Sequence, residues 1–486
     1  MEIDRESCLA AFLCRDRRFE GRFFAGVTTT GVYCRPGCPA PLPKARNVRF
    51  FACAAAAEDA GFRACRRCRP ESAPGTPAWM GTSATVARAL RLIEAGLVDE
   101  APLGALAERL GVGERHLRRL FREHLGTSPV AVSRTRRAHF ARKLLDDTSL
   151  RMSDVALAAG FSSVRRFNEA MRAAFGVPPT ELRRASGDGG RPDSGIALRI
   201  PFRAPFDAPA LLAFLAARAL PGVEEVSDGV WRRTAELGGS AGTVEATVDE
   251  RRPALAVRLR GFGPSASLEA ARRAGRLFDV DADPVAIAAH LSRDAALAPL
   301  VARRPGLRVP GAWDPFETSV RTVLGQQVSV KAARTLAARL VARFGRPLPA
   351  AAGGLTHLFP RAADLAEADV AAIGLPARRA ETVRALAREV ALGRIDLAPA
   401  ASLDEALRRL SGIPGIGPWT AEAIALRALG EPDAFPAGDL GLRKALAEGG
   451  AMPSGAEATA RAAAWRPWRG YALIHLWTDL AHREDS

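Results

Sequence analysis

All seven cysteines of this 486-residue chain lie before residue 70, and four of them form two close pairs, Cys34-Arg-Pro-Gly-Cys38 and Cys65-Arg-Arg-Cys68. Clustering of that kind demands a local solution. Four thiolates from two short-spaced pairs close a tetrahedral zinc site, whereas disulfides would staple distant parts of the chain. The remaining Cys8, Cys14 and Cys53 have no paired spacing and read as buried or incidental. Spacing alone leaves the zinc site open between a structural knuckle and a reactive centre. Unpaired thiols point to a reducing, cytoplasmic setting. No apolar run approaches the roughly 20 residues of a membrane span, and the N-terminus MEIDRESCLAAF lacks the apolar stretch of a signal peptide.

A chain of 486 residues is too long for one core. Two Pro/Gly/Ser-rich stretches divide it, PESAPGTP at 70–77 and SGDGGRPDS at 186–194, both with the composition of flexible linkers. Residues 82–185 carry helical periodicity, 196–206 and 244–261 alternate apolar and polar residues as strands do, and from about 277 the pattern is helical again. Four domains are expected, at 1–76, 82–185, 196–276 and 277–486. The formal net charge is +16 and the pI about 10.7, with about two thirds of the excess in residues 1–190. Such charge usually meets a polyanion. Only four basic residues are lysines (Lys44, Lys143, Lys331, Lys444), so an Arg-rich coding composition would also contribute.

The residues around the cysteines narrow the choice. Residues 23–51 read FFAGVTTTGVYCRPGCPAPLPKARNVRFF, followed by AGFRACRRC at 60–68. This segment closely resembles the N-terminal domain of the Ada family of adaptive-response proteins. The resemblance implies that Cys34, Cys38, Cys65 and Cys68 hold one Zn2+ and that Cys34 also accepts a methyl group from a DNA methylphosphotriester, irreversibly. The chemistry is reasonable: zinc holds a thiolate at neutral pH, and a methylated phosphotriester has lost the charge that would repel it. Methylation then leaves the cluster one unit less negative, which favours approach to DNA. Arg35, Lys44, Arg46 and Arg49 are candidates to grip neighbouring phosphates.

Residues 103–124 read LGALAERLGVGERHLRRLFREH and residues 153–175 read SDVALAAGFSSVRRFNEAMRAAF. Each has the form of a helix-turn-helix, with Gly111 and Gly160 at the turns, Ser162 or Ser163 as a cap, and Leu106, Leu110, Leu117 and Leu120 to pack the units together. Residues 134–143, rich in Arg, read as a connecting helix. A small bundle with a solvated Arg face is the plainer alternative for one such unit. Two in tandem, ending in GVPPTELRR, resemble the AraC-type DNA-binding domain. The recognition helices then present Glu114, Arg115, Arg118 and Arg119 in the first unit and Ser163, Arg165, Arg166 and Asn168 in the second, types suited to reading guanine and adenine.

Residues 411–420 read SGIPGIGPWT between two helical stretches, 403–410 and 421–429. A G-x-G turn entering a helix lets Gly415 and Gly417 offer backbone N–H groups to a phosphate. Downstream, FPAGD at 435–439 sets Asp439 before residues 440–446, where a lone Asp reads first as an N-cap. The order hairpin, Pro/Gly loop, Asp resembles the helix-hairpin-helix DNA glycosylase superfamily, and AlkA-type 3-methyladenine glycosylases in particular. The resemblance runs from 196 to 482 through LLAFLAARAL, RLFDVDADP, ARRPGLRVPGAWDPFETSVRTVLGQQVSVKAA, GIPGIGPWTA and RPWRGYALIHLW.

That resemblance implies that Asp439 is the catalytic carboxylate. It would stabilise an oxocarbenium-like sugar after the nucleotide is flipped out, with Trp419 and Trp477 stacking on the cationic base. Trp419 stands where lyase members carry Lys, so a monofunctional enzyme is expected. Two departures stand out. Gln327 occupies the position of the leucine that wedges into DNA, and Thr478 replaces a second pocket aromatic. No Pro-Cys-His occurs and no Cys lies beyond Cys68, so the O6-methylguanine transferase domain of many Ada proteins is missing.

The expected fold is multidomain and mainly α: a small zinc-bound α/β domain, a double helix-turn-helix, an α+β domain and an all-α helix-hairpin-helix domain. The expected activities are excision of alkylated bases such as 3-methyladenine, methyl acceptance on Cys34, and activation of repair genes by the methylated chain. Double-stranded DNA, alkylated and promoter, and RNA polymerase are the expected partners of a monomer. Two other readings are a regulator whose glycosylase half is inactive, and a glycosylase whose N-terminal domains only tether DNA.

Overall fold

The computed structural model describes residues 4–72, 84–94, 96–186, 195–398, 400, 402–447 and 451–484. Most of both linker stretches, and so their expected flexibility, lies outside the described residues. No helix among those described is long and apolar enough to cross a membrane.

The cysteine-bearing segment is a four-stranded sheet of β1 (Phe24–Val27), β2 (Val32–Cys34), β3 (Val48–Phe51) and β4 (Arg63–Ala64), in the order β3-β1-β2-β4. Only β4 runs parallel to its neighbour, β2, and the helix Ala54–Asp59 makes the crossover. Four of its six residues are alanine, and these small side chains let it be buried on two sides. Ala54 and Ala57 join one apolar core, and Ala55 and Ala56 join another.

The two helix-turn-helix units form as expected. Gly111 (φ +65) and Gly160 (φ +80) sit in the left-handed region at the turns. Ser163 rather than Ser162 caps the helix Val164–Phe175, accepting from Arg166 N. The connecting stretch lies inside a 19-residue helix, Pro129–Asp147, capped by Ser128. The units do not share one core, contrary to expectation. Leu106, Leu110, Leu117 and Leu120 pack with Cys53, Ala55 and Ala56, while Val155, Phe167, Met171 and Phe175 belong to a second core. The long helix is the physical reason: Ala131 near its start faces the first core, and Ala138, Ala141, Leu144 and Leu145 face the second.

The next unit is an antiparallel sheet of β5 (Ile196–Pro201), β6 (Glu224–Ser227), β7 (Val230–Leu237), β8 (Ser240–Asp249) and β9 (Ala254–Arg260), ordered β5-β9-β8-β7-β6. Gly238 and Gly239, both at positive φ, supply the tight turn between β7 and β8. Trp231 is fully buried in its core, together with Phe278 and Trp313 from beyond residue 276. This core is continuous with that of the second helix-turn-helix unit and with Phe24, Tyr33 and Phe62 of the cysteine domain.

Among the described residues the C-terminal segment is a helical bundle with one exception to the all-α expectation. β10 (Arg346–Ala352) and β11 (Leu355–Leu358) form a hairpin. Pro347 and Pro349 disfavour helix there, Gly353 (φ +61) supplies the turn, and Thr234 Oγ1 donates to His357 O at 2.7 Å, tying the hairpin to the preceding sheet.

Buried ion pairs join the halves. Arg22 meets Asp283 at 2.6 Å with both side chains under 10% exposed, and Arg88 and Arg91 meet Glu431. Removing one member of such a pair costs about 3–5 kcal/mol, because a charge is left buried and unpaired.

Candidate functional site

The parallel pairing of β2 and β4 brings the two cysteine pairs together. Cys34 ends β2, and Cys65 follows β4 with its N–H donating to Tyr33 O at 3.0 Å. The four sulfurs of Cys34, Cys38, Cys65 and Cys68 lie within 4.8 Å of one another, and all four residues are buried. A zinc ion about 2.3 Å from each sulfur fits that cluster, and four thiolates are a donor set that structural zinc takes. Cys8 and Cys53 are buried elsewhere and Cys14 is exposed.

The phosphate-gripping candidates divide. Lys44, Arg46 and Arg49 are exposed, with the Arg49 guanidinium over the Phe51 and Phe62 rings. Arg35 is instead turned inward, Nη1 donating to Glu20 Oε2 at 2.9 Å. Next to the cysteines, Tyr33 Oη donates to Glu58 Oε1 (2.9 Å) and lies 3.0 Å from His139 Nε2, on the long helix. Tyr33, Glu58 and His139 lie far apart in sequence, which gave no sign of this link.

Arg115, Arg118 and Arg119 are exposed along the helix Glu114–Leu125, with Arg118 paired to Glu114 at 2.8 Å. Arg165 and Arg166 are exposed on Val164–Phe175, where Asn168 is half-buried and Arg165 pairs with Glu169 at 3.0 Å.

In the C-terminal bundle the helices Leu403–Ser411 and Pro418–Arg427 form the hairpin. Gly415 has φ +86, and a Cβ there would sit 1.9 Å from Thr382 Oγ1. Gly417 is different: a Cβ there meets nothing within 4 Å, so the fold itself leaves that position free. Gln327 is exposed at φ +55, and its neighbour Gln326 donates to Gly415 O (3.1 Å) and Thr420 Oγ1 (2.9 Å). The expected wedge loop is thereby pinned to the hairpin, through a residue that sequence reasoning passed over.

Asp439 takes the N-cap role expected of it. It caps the helix Leu440–Ala445, Oδ1 accepting from Leu442 N at 2.8 Å. The same oxygen accepts from Trp477 Nε1 at 2.9 Å, and Oδ2 accepts from Trp419 Nε1 at 3.0 Å. The two tryptophans proposed as stacking faces therefore also converge on the carboxylate through their N–H edges. Thr478 spends its hydroxyl on its own helix, donating to Ile474 O at 2.8 Å.

Four family models match in order: the metal binding domain of Ada over residues 7–71, a helix-turn-helix domain over 106–185, the AlkA N-terminal domain over 197–314, and the HhH-GPD superfamily of base excision DNA repair proteins over 320–469. With the geometry above, these define a DNA repair glycosylase of the helix-hairpin-helix superfamily, preceded by Ada-type zinc and helix-turn-helix domains. The chain is 46% identical over 486 residues to the probable bifunctional transcriptional activator/DNA repair enzyme AlkA of Mycobacterium tuberculosis, covering 99% of this chain and 98% of that protein. It belongs to that family. Its C-terminal part is 36% identical to DNA-3-methyladenine glycosylase 2 of Escherichia coli, over 56% of this chain and 94% of that protein. The solved 3-methyladenine DNA-glycosylase from Archaeoglobus fulgidus superposes with a TM-score of 0.52 at 28% identity, covering 59% of this chain and 99% of that one.

Proposed function

We propose that the C-terminal half hydrolyses the N-glycosidic bond of alkylated bases such as 3-methyladenine, as a monofunctional glycosylase. Cys34 accepts methyl from DNA methylphosphotriesters, and the methylated chain activates transcription of repair genes with RNA polymerase as partner. The observation that carries the first claim is the convergence of the Trp419 and Trp477 N–H groups on the two oxygens of Asp439, at the start of a helix.

Alkylation at N3 or N7 makes the purine a cationic leaving group, so the enzyme need supply little acid. Asp439, with its orientation fixed by three N–H donors, faces the positive charge that grows on the sugar and can orient the attacking water. The hairpin turn at Gly415 and Gly417 offers backbone N–H groups to a phosphate, and Gln327 stands ready to fill the gap left by the flipped base. At the other end of the chain, bound zinc supplies the positive charge that keeps the cysteine sulfurs deprotonated. The Cys34 sulfur attacks the methyl carbon as the methyl–oxygen bond breaks. The electron pair goes to the phosphate oxygen, leaving a thioether and a restored phosphodiester. Lys44 and Arg46, exposed and close in sequence to Cys34, then meet flanking phosphates, and the exposed arginines of the helix-turn-helix units meet base edges; their exposure supports this reading.

Release of 3-methyladenine from methylated DNA by the wild type but not by Asp439→Asn tests the glycosylase, and no release by either overturns it. Borohydride in the reaction should trap no covalent DNA adduct. Mass spectrometry after incubation with methylated DNA should find one added methyl on Cys34, and its absence would leave the N-terminal domains as tethers.

A further inference from the structure

Glu431 is 1% exposed and takes no part in the chemistry above. Both of its oxygens are held by arginines from the other half of the molecule. Arg88 Nη2 lies 3.1 Å from Oε2 and Arg91 Nη2 lies 2.8 Å from Oε1. Arg91 also donates through Nη1 to the backbone carbonyl of Gly430. Arg88 and Arg91 are one turn apart on the helix Ala84–Glu94, which precedes the first helix-turn-helix unit.

Glu431 stands at the start of the loop that ends on Asp439. Its N–H donates to Ala425 O in the second hairpin helix at 2.9 Å, and Ala434 N donates back to Glu431 O at 3.1 Å. Farther along, the C-terminal half anchors the loop itself. Gly470 N donates to Pro432 O and Phe435 N to Glu422 Oε2, each at 2.8 Å, and Arg469 Nε meets Asp433 Oδ1 at 2.8 Å. The first turn, in contrast, has its buried charge compensated by residues of the helix-turn-helix half. A carboxylate at this depth needs that compensation.

We propose that Arg88 and Arg91 are positioning residues for base excision: the helix-turn-helix half clamps the first turn of the loop that presents Asp439. Seating of that half on the hairpin thereby sets the placement of the catalytic carboxylate. The buried Arg22–Asp283 pair joins the cysteine-bearing domain to the C-terminal half at a second, separate point. The kinetic consequence rests on the glycosylase reading above; the clamp itself does not.

The test uses the full-length, zinc-loaded protein with the pair Arg88→Gln/Arg91→Gln, the pair Arg88→Lys/Arg91→Lys, and Glu431→Gln. Single-turnover release of 3-methyladenine, affinity for the same duplex, and hydrogen exchange of residues 432–438 are read together. The glutamine pair should slow release about tenfold with duplex affinity within about twofold, and should speed exchange across the loop. The lysine pair keeps the charge and the fold and should recover most of the rate. Glu431→Gln should slow release, and adding the glutamine pair to it should cost little more, because both changes remove one clamp. Wild-type rate and unchanged exchange in the glutamine pair would overturn the proposal. If the wild type releases no base at all, the glycosylase reading fails and exchange alone decides the clamp, with unchanged protection overturning it.

Discussion

Trp477 Nε1 donates to Asp439 Oδ1 at 2.9 Å, on the same oxygen that caps the following helix. Trp419 does the same for Oδ2 at 3.0 Å. These N–H edges separate two functions that a tryptophan can serve here, orienting the carboxylate and stacking on a cationic base. Trp419→Phe and Trp477→Phe each keep an aromatic face and remove one donor. A hydrogen bond to a charged group contributes about 1.5–3 kcal/mol, so each variant should slow single-turnover excision by roughly tenfold or more while duplex affinity stays near wild type. A loss confined to affinity for the damaged base would assign the tryptophans to stacking alone.

Asp439 also has two functions, and two substitutions divide them. Asn caps helices as well as Asp does, so Asp439→Asn should retain the cap while abolishing excision, losing only the bond from Trp419 Nε1, which its amide NH2 cannot accept. Asp439→Ala removes the cap too and should cost about 1 kcal/mol in addition. Chemical denaturation beside the excision assay distinguishes the pair. Substantial excision by Asp439→Asn would mean that another group carries the charge stabilisation.

The parts of this molecule that were legible in its sequence are those whose residues are neighbours in the chain. The two cysteine pairs, the hairpin GIPGIGPWT, the serine cap and the turn glycines each encode a local backbone geometry, and short-range sterics impose it wherever the segment lies. What stayed hidden joins distant residues. Arg88 and Glu431 are 343 positions apart, Tyr33 and His139 are 106 apart, and no periodicity signals either contact. The charge of Arg35 was visible in the sequence and its partner Glu20 was not. The aromatic character of Trp419 and Trp477 was evident, but the direction of their N–H groups depends on how three separate elements pack. The hairpin of β10 and β11 was missed because its Pro/Ala stretch has no alternation to mark it as strand.

Gly415 and Gly417 should respond differently to alanine. At Gly415 the backbone is left-handed and a Cβ would strike Thr382, so Gly415→Ala should destabilise the bundle by about 1–3 kcal/mol as well as weaken duplex binding. At Gly417 the backbone is at φ −86 and the space is open, so Gly417→Ala should leave the unfolding transition unchanged. Its effect should appear only as weaker duplex affinity, because the open side is where a phosphate would approach. Unchanged affinity in Gly417→Ala would place the phosphate elsewhere.

Two buried groups oppose each other in acid, and separating them gives a signed prediction. Burial pulls His475 down to about 4, so the native protein holds it neutral while the unfolded chain takes a proton. Its contribution is intact above pH 6.5 and is lost as the pH falls from 6.5 towards 4, by on the order of 3 kcal/mol. Burial pushes Asp279 up to about 6, against the attraction of Arg308 and the hydrogen bond from Tyr471. The native state therefore binds that proton before the unfolded chain does, and stability is gained as the pH falls from 6 towards 4. In the wild type the two trends offset each other across this window. His475→Asn should make the C-terminal half more stable at pH 5 than at pH 7 relative to the wild type, and Asp279→Asn should make it less so. Urea unfolding at the two pH values, followed by tryptophan fluorescence, reports on this half, because every tryptophan but Trp79 lies between residues 231 and 477. Parallel pH profiles for the two variants would show that neither group changes protonation on unfolding.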